Sequence, residues 1–332
     1  MKKHVKITSV AVFILSLSLL LLLTGCQGTA QQTTEKPKII NISYSYRPLN
    51  IPSIVALEKK MFEDEFAKDG IQVKWFELEG PATAEALAAK SIDFATSLNY
   101  VSAIIAKANG NDMKVISGYS KFPKGIGLVA GVNSGVMTVA DLKGKKVALQ
   151  KGTMLHEMLI KALAETNLKS SDVEIVNMAS TDAANAVMQK QVDAAVIPDP
   201  LLTKAVASKN VILLRNAENL ILGQAVIAAR TDFLNQYPDI AKKFLEVHQK
   251  TLTWANANQE EALTLAAKVN QMDINAVKAM APKFDFSLAL DKTTILKYKD
   301  TAEFLKTNNF IKTDINTDTL ITQLIDTKYL PK

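Results

Sequence analysis

LQKGTMLHEMLI (149–160) runs from a short apolar strand through Lys151-Gly152-Thr153 directly into a helix. Gly152 lets the backbone turn tightly and approach a neighbour closely, and Thr153 is a natural N-cap. The N–H groups of residues 153–155, Met154 among them, lack partners inside the helix. They therefore point outward with the positive end of the helix behind them. That arrangement holds an anion without a basic side chain. His156, one of only three histidines in the chain, sits on the first turn and can add a donor or pack against a neighbour.

The junction is one unit of a longer pattern. Before it, IINISYSY (39–46), IQVKWFEL (71–78), IDFAT (92–96) and MKVISG (113–118) read as strands. They are separated by helical stretches at 52–62, 81–90 and 100–109. In the first of these, Ile54, Val55, Leu57, Met61 and Phe62 share one face. After it, VEIVNM (173–178), DAAVI (193–197) and NVILLR (210–215) alternate with helices at 181–190 and 200–208, and QAVIAAR (224–230) reads as a return strand. From Pro238 onward the pattern is almost wholly helical. Such alternation predicts mostly parallel sheets covered by helices.

The pattern also repeats. ALAAKSIDFA (86–95) and AVMQKQVDAA (186–195) align without a gap, each a helix end followed by Asp and a small apolar strand start. The echo predicts two related α/β lobes. Lobe 1 would comprise residues 39–125 and 227–332, and lobe 2 residues 126–226. The chain would cross near 125–131 and return near 223–230, a two-strand hinge.

Composition sets the outer limits. The chain has 332 residues, 48% hydrophobic and 22% charged, as in an ordinary globular protein. Residues 1–25 read as an export leader: three lysines, then an unbroken run of 14 apolar or small residues, too short to favour a membrane span. Removing those lysines from a formal net charge of +6 leaves about +3. With no Lys/Arg block and no basic-aromatic pattern, no nucleic-acid partner is expected.

The leader ends in Leu23-Thr24-Gly25-Cys26, which resembles a bacterial lipobox. The resemblance implies diacylation of Cys26 and an extracytoplasmic membrane anchor, with residues 26–38 as the lipidated cysteine and a polar tether. Cys26 is the only cysteine, which leaves no disulfide, thiolate metal site or cysteine nucleophile.

Four segments resemble, in order, those of bacterial solute-binding proteins for aliphatic sulfonates, taurine and nitrate, related to thiamine-precursor binders. They are SYRPLNIPSIVALEKKMFED (45–64), ALAAKSIDFATS (86–97), VADLKGKKVALQKGTMLHEMLIKAL (139–163) and QVDAAVIPDP (191–200). The resemblance covers roughly residues 39–310. It implies the two-lobed periplasmic-binding-protein type II fold, a small organic anion between the lobes, and delivery by a monomer to the permease and ATPase of an ABC importer. Two positions depart from it. Lys90-Ser91 replaces the glycine that usually closes the lobe-1 helix, and Ile197-Pro198 stands where tryptophan is common before Asp-Pro.

By that fold, ligand contacts fall beyond the carboxyl ends of strands. Candidates in lobe 1 are Tyr44, Tyr46, Arg47 and Asn50 after the first strand, and Ser97 and Asn99 after IDFAT. Those in lobe 2 are Gly152, Thr153, Met154 and His156, with Asp199 after DAAVI. Two readings stand for Asp199: partner to an ammonium or hydroxyl on the ligand, or helix cap beside Pro200. Arg47 can clamp an oxyanion or lie at the lip. A pyrimidine-type ligand would instead use the tyrosines. An enzyme is not expected. The sequence has no G-x-S-x-G elbow, G-x-G-x-x-G fingerprint or metal-spaced His/Glu cluster, and no cofactor is implied.

Overall fold

The computed structural model describes residues 35–331 apart from Pro48. The expected leader and Cys26 lie outside the described residues, as does most of the tether. Two five-stranded sheets form the frame. The first contains β1 (Ile39–Tyr44), β2 (Gln72–Glu77), β3 (Phe94–Asn99), β4 (Met113–Lys121) and β10 (Gln224–Arg230), in the order β2-β1-β3-β10-β4. The second contains β5 (Ile126–Gly131), β6 (Lys146–Leu149), β7 (Glu174–Asn177), β8 (Ala194–Pro198) and β9 (Val211–Asn216), in the order β7-β6-β8-β5-β9.

The two orders are the same order. In each sheet the first parallel strand lies between the second and the third, and the strand that has just arrived from the other lobe inserts antiparallel beside the third. The chain leaves lobe 1 through residues 122–125 and returns through residues 217–223. Both arriving strands are almost wholly buried, as strands covered on two faces must be.

The repeated segments do the same work in both lobes. Each closes its helix with a lysine in the left-handed region, Lys90 at φ +58° and Lys190 at φ +63°, where glycine would be unstrained. Each then presents an aspartate to the strand beside it. Asp93 Oδ2 accepts from the Asn41 N–H at 2.7 Å, and Asp193 Oδ2 accepts from the Lys146 N–H at 2.8 Å. The backbone N–H groups of the two aspartates donate back to Asn41 and Lys146. A side chain that fixes the register of adjacent parallel strands is needed twice because the unit occurs twice.

Two details differ from the sequence reading. IGLVAG (126–131) is a full strand, not merely the crossing. A Cβ at Gly127 would meet the Leu202 and Leu213 side chains at 2.6–2.9 Å, so this glycine serves close packing rather than a turn. The helix expected over 52–62 breaks at Lys60, itself at φ +52°, into Ile51–Glu58 and Met61–Ala67. The break turns Phe62 onto Phe244 of the long Pro238–Ala257 helix, with ring centroids 4.9 Å apart.

The C-terminal helices Gln259–Asn270, Ile274–Met280, Lys292–Thr307 and Thr317–Leu324 pack on lobe 1. Between the second and third of these, residues 284–290 run along the outer edge of β4, where Lys121 and Asp285 exchange backbone hydrogen bonds of 2.8 Å. This segment reaches the crossing. Phe284 stacks on Phe122 with centroids 5.2 Å apart. Among the described residues no helix is long and apolar enough to cross a membrane.

Candidate functional site

Carboxyl ends of strands from both sheets face one cavity of about 70 Å³. In a βα unit a helix begins just beyond such an end, so helix N-termini accumulate there. Four of them reach this cavity. Helix Pro81–Ala88 starts from Gly80, and Tyr100–Ala108 from Asn99. Met154–Glu165 starts from Thr153, and Ser180 opens Ser180–Met188. Each N-terminus presents unpaired N–H groups and roughly half a positive charge. The cavity is thus electropositive before any side chain is considered.

Thr153 spends its own hydroxyl on the turn. Oγ1 donates to the Gln150 carbonyl at 2.8 Å and accepts from the Leu155 N–H at 3.2 Å. The N–H groups of Thr153 and Met154 have no protein partner among the described residues. Of the three N–H groups expected to serve an anion, two are free and that of Leu155 is capped. Asn99 is likewise a cap: Oδ1 accepts from the Ser102 N–H at 2.9 Å, and Nδ2 donates to Ser102 Oγ at 2.8 Å.

Ser97 is placed differently. Val226 pairs with Leu98 and Ala228 with Ala95, so β3 carries an extra residue between these pairs. Ser97 falls in that bulge at φ +58°. Bulges re-aim side chains, and left-handed backbone in a serine is strained by about 1–2 kcal/mol. The result is a hydroxyl at the cavity with no protein partner among the described residues.

Arg47 lines the cavity and approaches Glu79 Oε1 at 2.8 Å. Its Nε is buried without an acceptor. Ser45 Oγ also bonds Glu79 Oε1, at 3.0 Å. Asn50 does not reach the cavity. Its Nδ2 donates to the carbonyls of Ser45 and Arg47 at 2.7 and 3.2 Å, bracing the loop that carries Arg47.

The remaining candidates lie apart from the cavity. Tyr44 and Tyr46 pack edge to face on each other, and Tyr44 also packs on Trp75. Burial raises the Tyr44 phenol well above its ordinary range. Gly152 lines a neighbouring groove, and its carbonyl accepts from Ser102 Oγ at 2.9 Å across the lobes. His156 is turned onto the Phe310 edge, with centroids 4.7 Å apart and neither ring nitrogen bonded. Burial, aided by Lys151, lowers its pKa to about 4, so the ring is neutral at pH 7.

Asp199 is fully buried behind Pro198. Oδ1 accepts from the Thr203 N–H at 2.9 Å and from Thr203 Oγ1 at 2.6 Å. Oδ2 accepts from Lys283 Nζ at 2.8 Å. The ammonium that the sequence reading sought on a ligand is supplied by lobe 1 itself.

Sequence reasoning did not single out Glu79, Gly80, Gln150 or Ser180, all of which line the cavity, as does Pro198 of the departing Ile197-Pro198 pair. Gly80 and Gln150 meet across the lobes: a Cβ on Gly80, which sits at φ +58°, would lie 2.4 Å from Gln150 Nε2. The signal was available, since Glu79-Gly80-Pro81 is a strand-to-helix turn of the same kind as 149–154. Among the described residues no cluster of metal-ligating side chains occurs.

The model of a family described as NMT1/THI5 like matches residues 48–262. A protein of Bacillus subtilis (strain 168) described as an aliphatic sulfonates-binding protein is 31% identical over 268 residues, 80% of each chain. Two solved structures share the fold. The alkanesulfonate-binding protein SsuA from Xanthomonas axonopodis pv. citri, bound to MOPS, superposes with TM-score 0.80 at 22% identity, over 88% of this chain and 99% of that one. The periplasmic aliphatic sulphonate binding protein SsuA from Escherichia coli gives TM-score 0.74 at 24% identity, over 90% and 94%.

Proposed function

The chain belongs to the NMT1/THI5-like family, and on that premise we propose that it is a substrate-binding protein that captures a small organic anion between its lobes and delivers it to an ABC importer. A single observation carries the reading: four helix N-termini, from both lobes, converge on one cavity. The relatives named as sulfonate-binding proteins support a sulfonate as the anion. The free N–H groups of Thr153 and Met154 hold its oxygens from lobe 2, while Ser97 Oγ reaches it from lobe 1. Closure follows because neither lobe alone completes the shell.

A flat heteroaromatic ligand of the pyrimidine class fits less well. It needs a stacking partner, and no residue lining the cavity is aromatic. The close relatives are binding proteins, so no reaction is assigned to the cavity. Export, diacylation of Cys26 and docking of a monomer on a permease with its ATPase complete the proposal.

The test is a thermal-shift screen of the purified chain against alkanesulfonates, aminosulfonates, nitrate, bicarbonate and aminopyrimidines. A ligand at 100 times its dissociation constant stabilises the fold by about 2.7 kcal/mol. A shift with sulfonates that is lost on Met154→Pro, which removes one free N–H, supports the reading. Stabilisation by aminopyrimidines alone overturns it.

A further inference from the structure

The cavity holds one acidic side chain among its lining residues, Glu79, and one basic side chain, Arg47. A site built for a plain anion has no use for a carboxylate. Placed beside bound sulfonate it repels, and it occupies the one guanidinium that could serve the anion. Yet Glu79 is held in place with care. Arg47 and the Ser45 hydroxyl both engage Oε1. Oε2 has no protein partner among the described residues. If Glu79 served only to neutralise Arg47, the pair would leave the ligand nothing beyond the helix ends.

We propose that Glu79 is a specificity-determining residue that accepts the cationic group of a zwitterionic ligand, a short aminoalkanesulfonate. The inference rests on the receptor reading above and names its substrate class. The sulfonate lies against the helix N-termini. The ammonium lies on Glu79 Oε2. Arg47 and Ser45 fix the carboxylate through its other oxygen, so it need not reorganise when ligand enters. Asp199 cannot take this role because Lys283 and Thr203 already occupy both its oxygens.

Calorimetric titration of the full chain, purified in detergent, with ethanesulfonate and 2-aminoethanesulfonate tests the assignment. A hydrogen bond to a charged group predicts a preference for the aminosulfonate of roughly ten- to hundredfold. Glu79→Gln removes that preference and leaves ethanesulfonate binding equal or tighter. Glu79→Asp, which keeps the charge, retains part of it. Thermal midpoints within a few degrees of wild type establish that both variants fold. Equal affinity of wild type for the two ligands overturns the assignment while sparing the receptor reading. A preference that survives in Glu79→Gln does the same. Binding of neither sulfonate overturns both.

Discussion

Glu157 joins the lobes through a carboxylate that water does not reach, and its replacement tests how far the closed arrangement holds itself shut. The side chain is fully buried in the Met154–Glu165 helix of lobe 2. Its Oε2 accepts from the Tyr100 phenol, and Oε1 accepts from Thr301 Oγ1 at 3.0 Å. Both donors belong to lobe 1. Lys161, one turn along and partly exposed, donates to Oε1 at 2.7 Å. Glu157→Ala leaves two lobe-1 hydroxyls without an acceptor, whereas Lys161 regains water. A hydrogen bond to a charged group contributes roughly 1.5–3 kcal/mol. Two such bonds, less the recovered hydration of the opened lobe faces, give an expected loss of about 2–4 kcal/mol. Urea unfolding measures that loss. A cycle with Tyr100→Phe should show coupling of about 1 kcal/mol or more. Small-angle scattering should show a larger radius for the ligand-free variant that returns to the wild-type value with saturating ligand. Destabilisation below about 0.5 kcal/mol, the range of ordinary surface changes, would refute the reasoning, as would an unchanged radius.

Ser97→Gly relieves left-handed strain and should raise stability by about 1 kcal/mol in chemical denaturation, while loss of the hydroxyl weakens ligand binding severalfold by calorimetry. Lower stability or unchanged affinity would contradict the bulge argument. Burial holds the His248 pKa at about 4, below its unfolded value, so the unfolded chain binds the extra proton first as pH falls. Stability is therefore full above about pH 6.5 and declines toward pH 4, by about 2 kcal/mol at pH 5 for this residue. His248→Phe should flatten that slope in urea unfolding, and an unchanged slope would count against it. Asp199→Asn, which loses the Lys283 ion pair, should cost about 1–2 kcal/mol of stability, because Lys283 is about a third exposed. It should leave the ratio of aminosulfonate to alkanesulfonate affinity unchanged in competition binding.

Much of the frame could be read before any coordinates, and the reasons are local. Alternation of short apolar strands with helical stretches marks parallel βα units, and a helix end followed by Asp and a small strand occurs at 86–95 and again at 186–195. Those residues share a physical task, which is why they share a pattern. Tasks set by packing were opaque. Gly127 looks like a turn residue and is a strand residue that makes room for Leu202. His156 follows the cap by three residues, which rotates it off the cavity and onto Phe310. No local signal reveals that Lys283, distant in sequence, pairs with Asp199. Glu79 differs: Glu79-Gly80-Pro81 is itself a strand-to-helix turn, so its place at the cavity was legible locally.

That equivalence bears on how the site arose and how it can change. Two copies of one βα pattern, placed with strand ends facing, bring helix N-termini together whatever side chains follow. The affinity for an anion is then a property of the backbone, and no lining side chain other than Arg47 carries a positive charge. Selectivity among anions must come from what the turns add. Here the additions are unequal between lobes. Lobe 2 contributes mainly backbone donors at Thr153 and Met154, with Gln150 closing over Gly80. Lobe 1 contributes the charged pair and the strained serine. Substitutions in the lobe-1 turns should therefore change which ligand binds, whereas changes at the 153 turn should scale the affinity for all anions together.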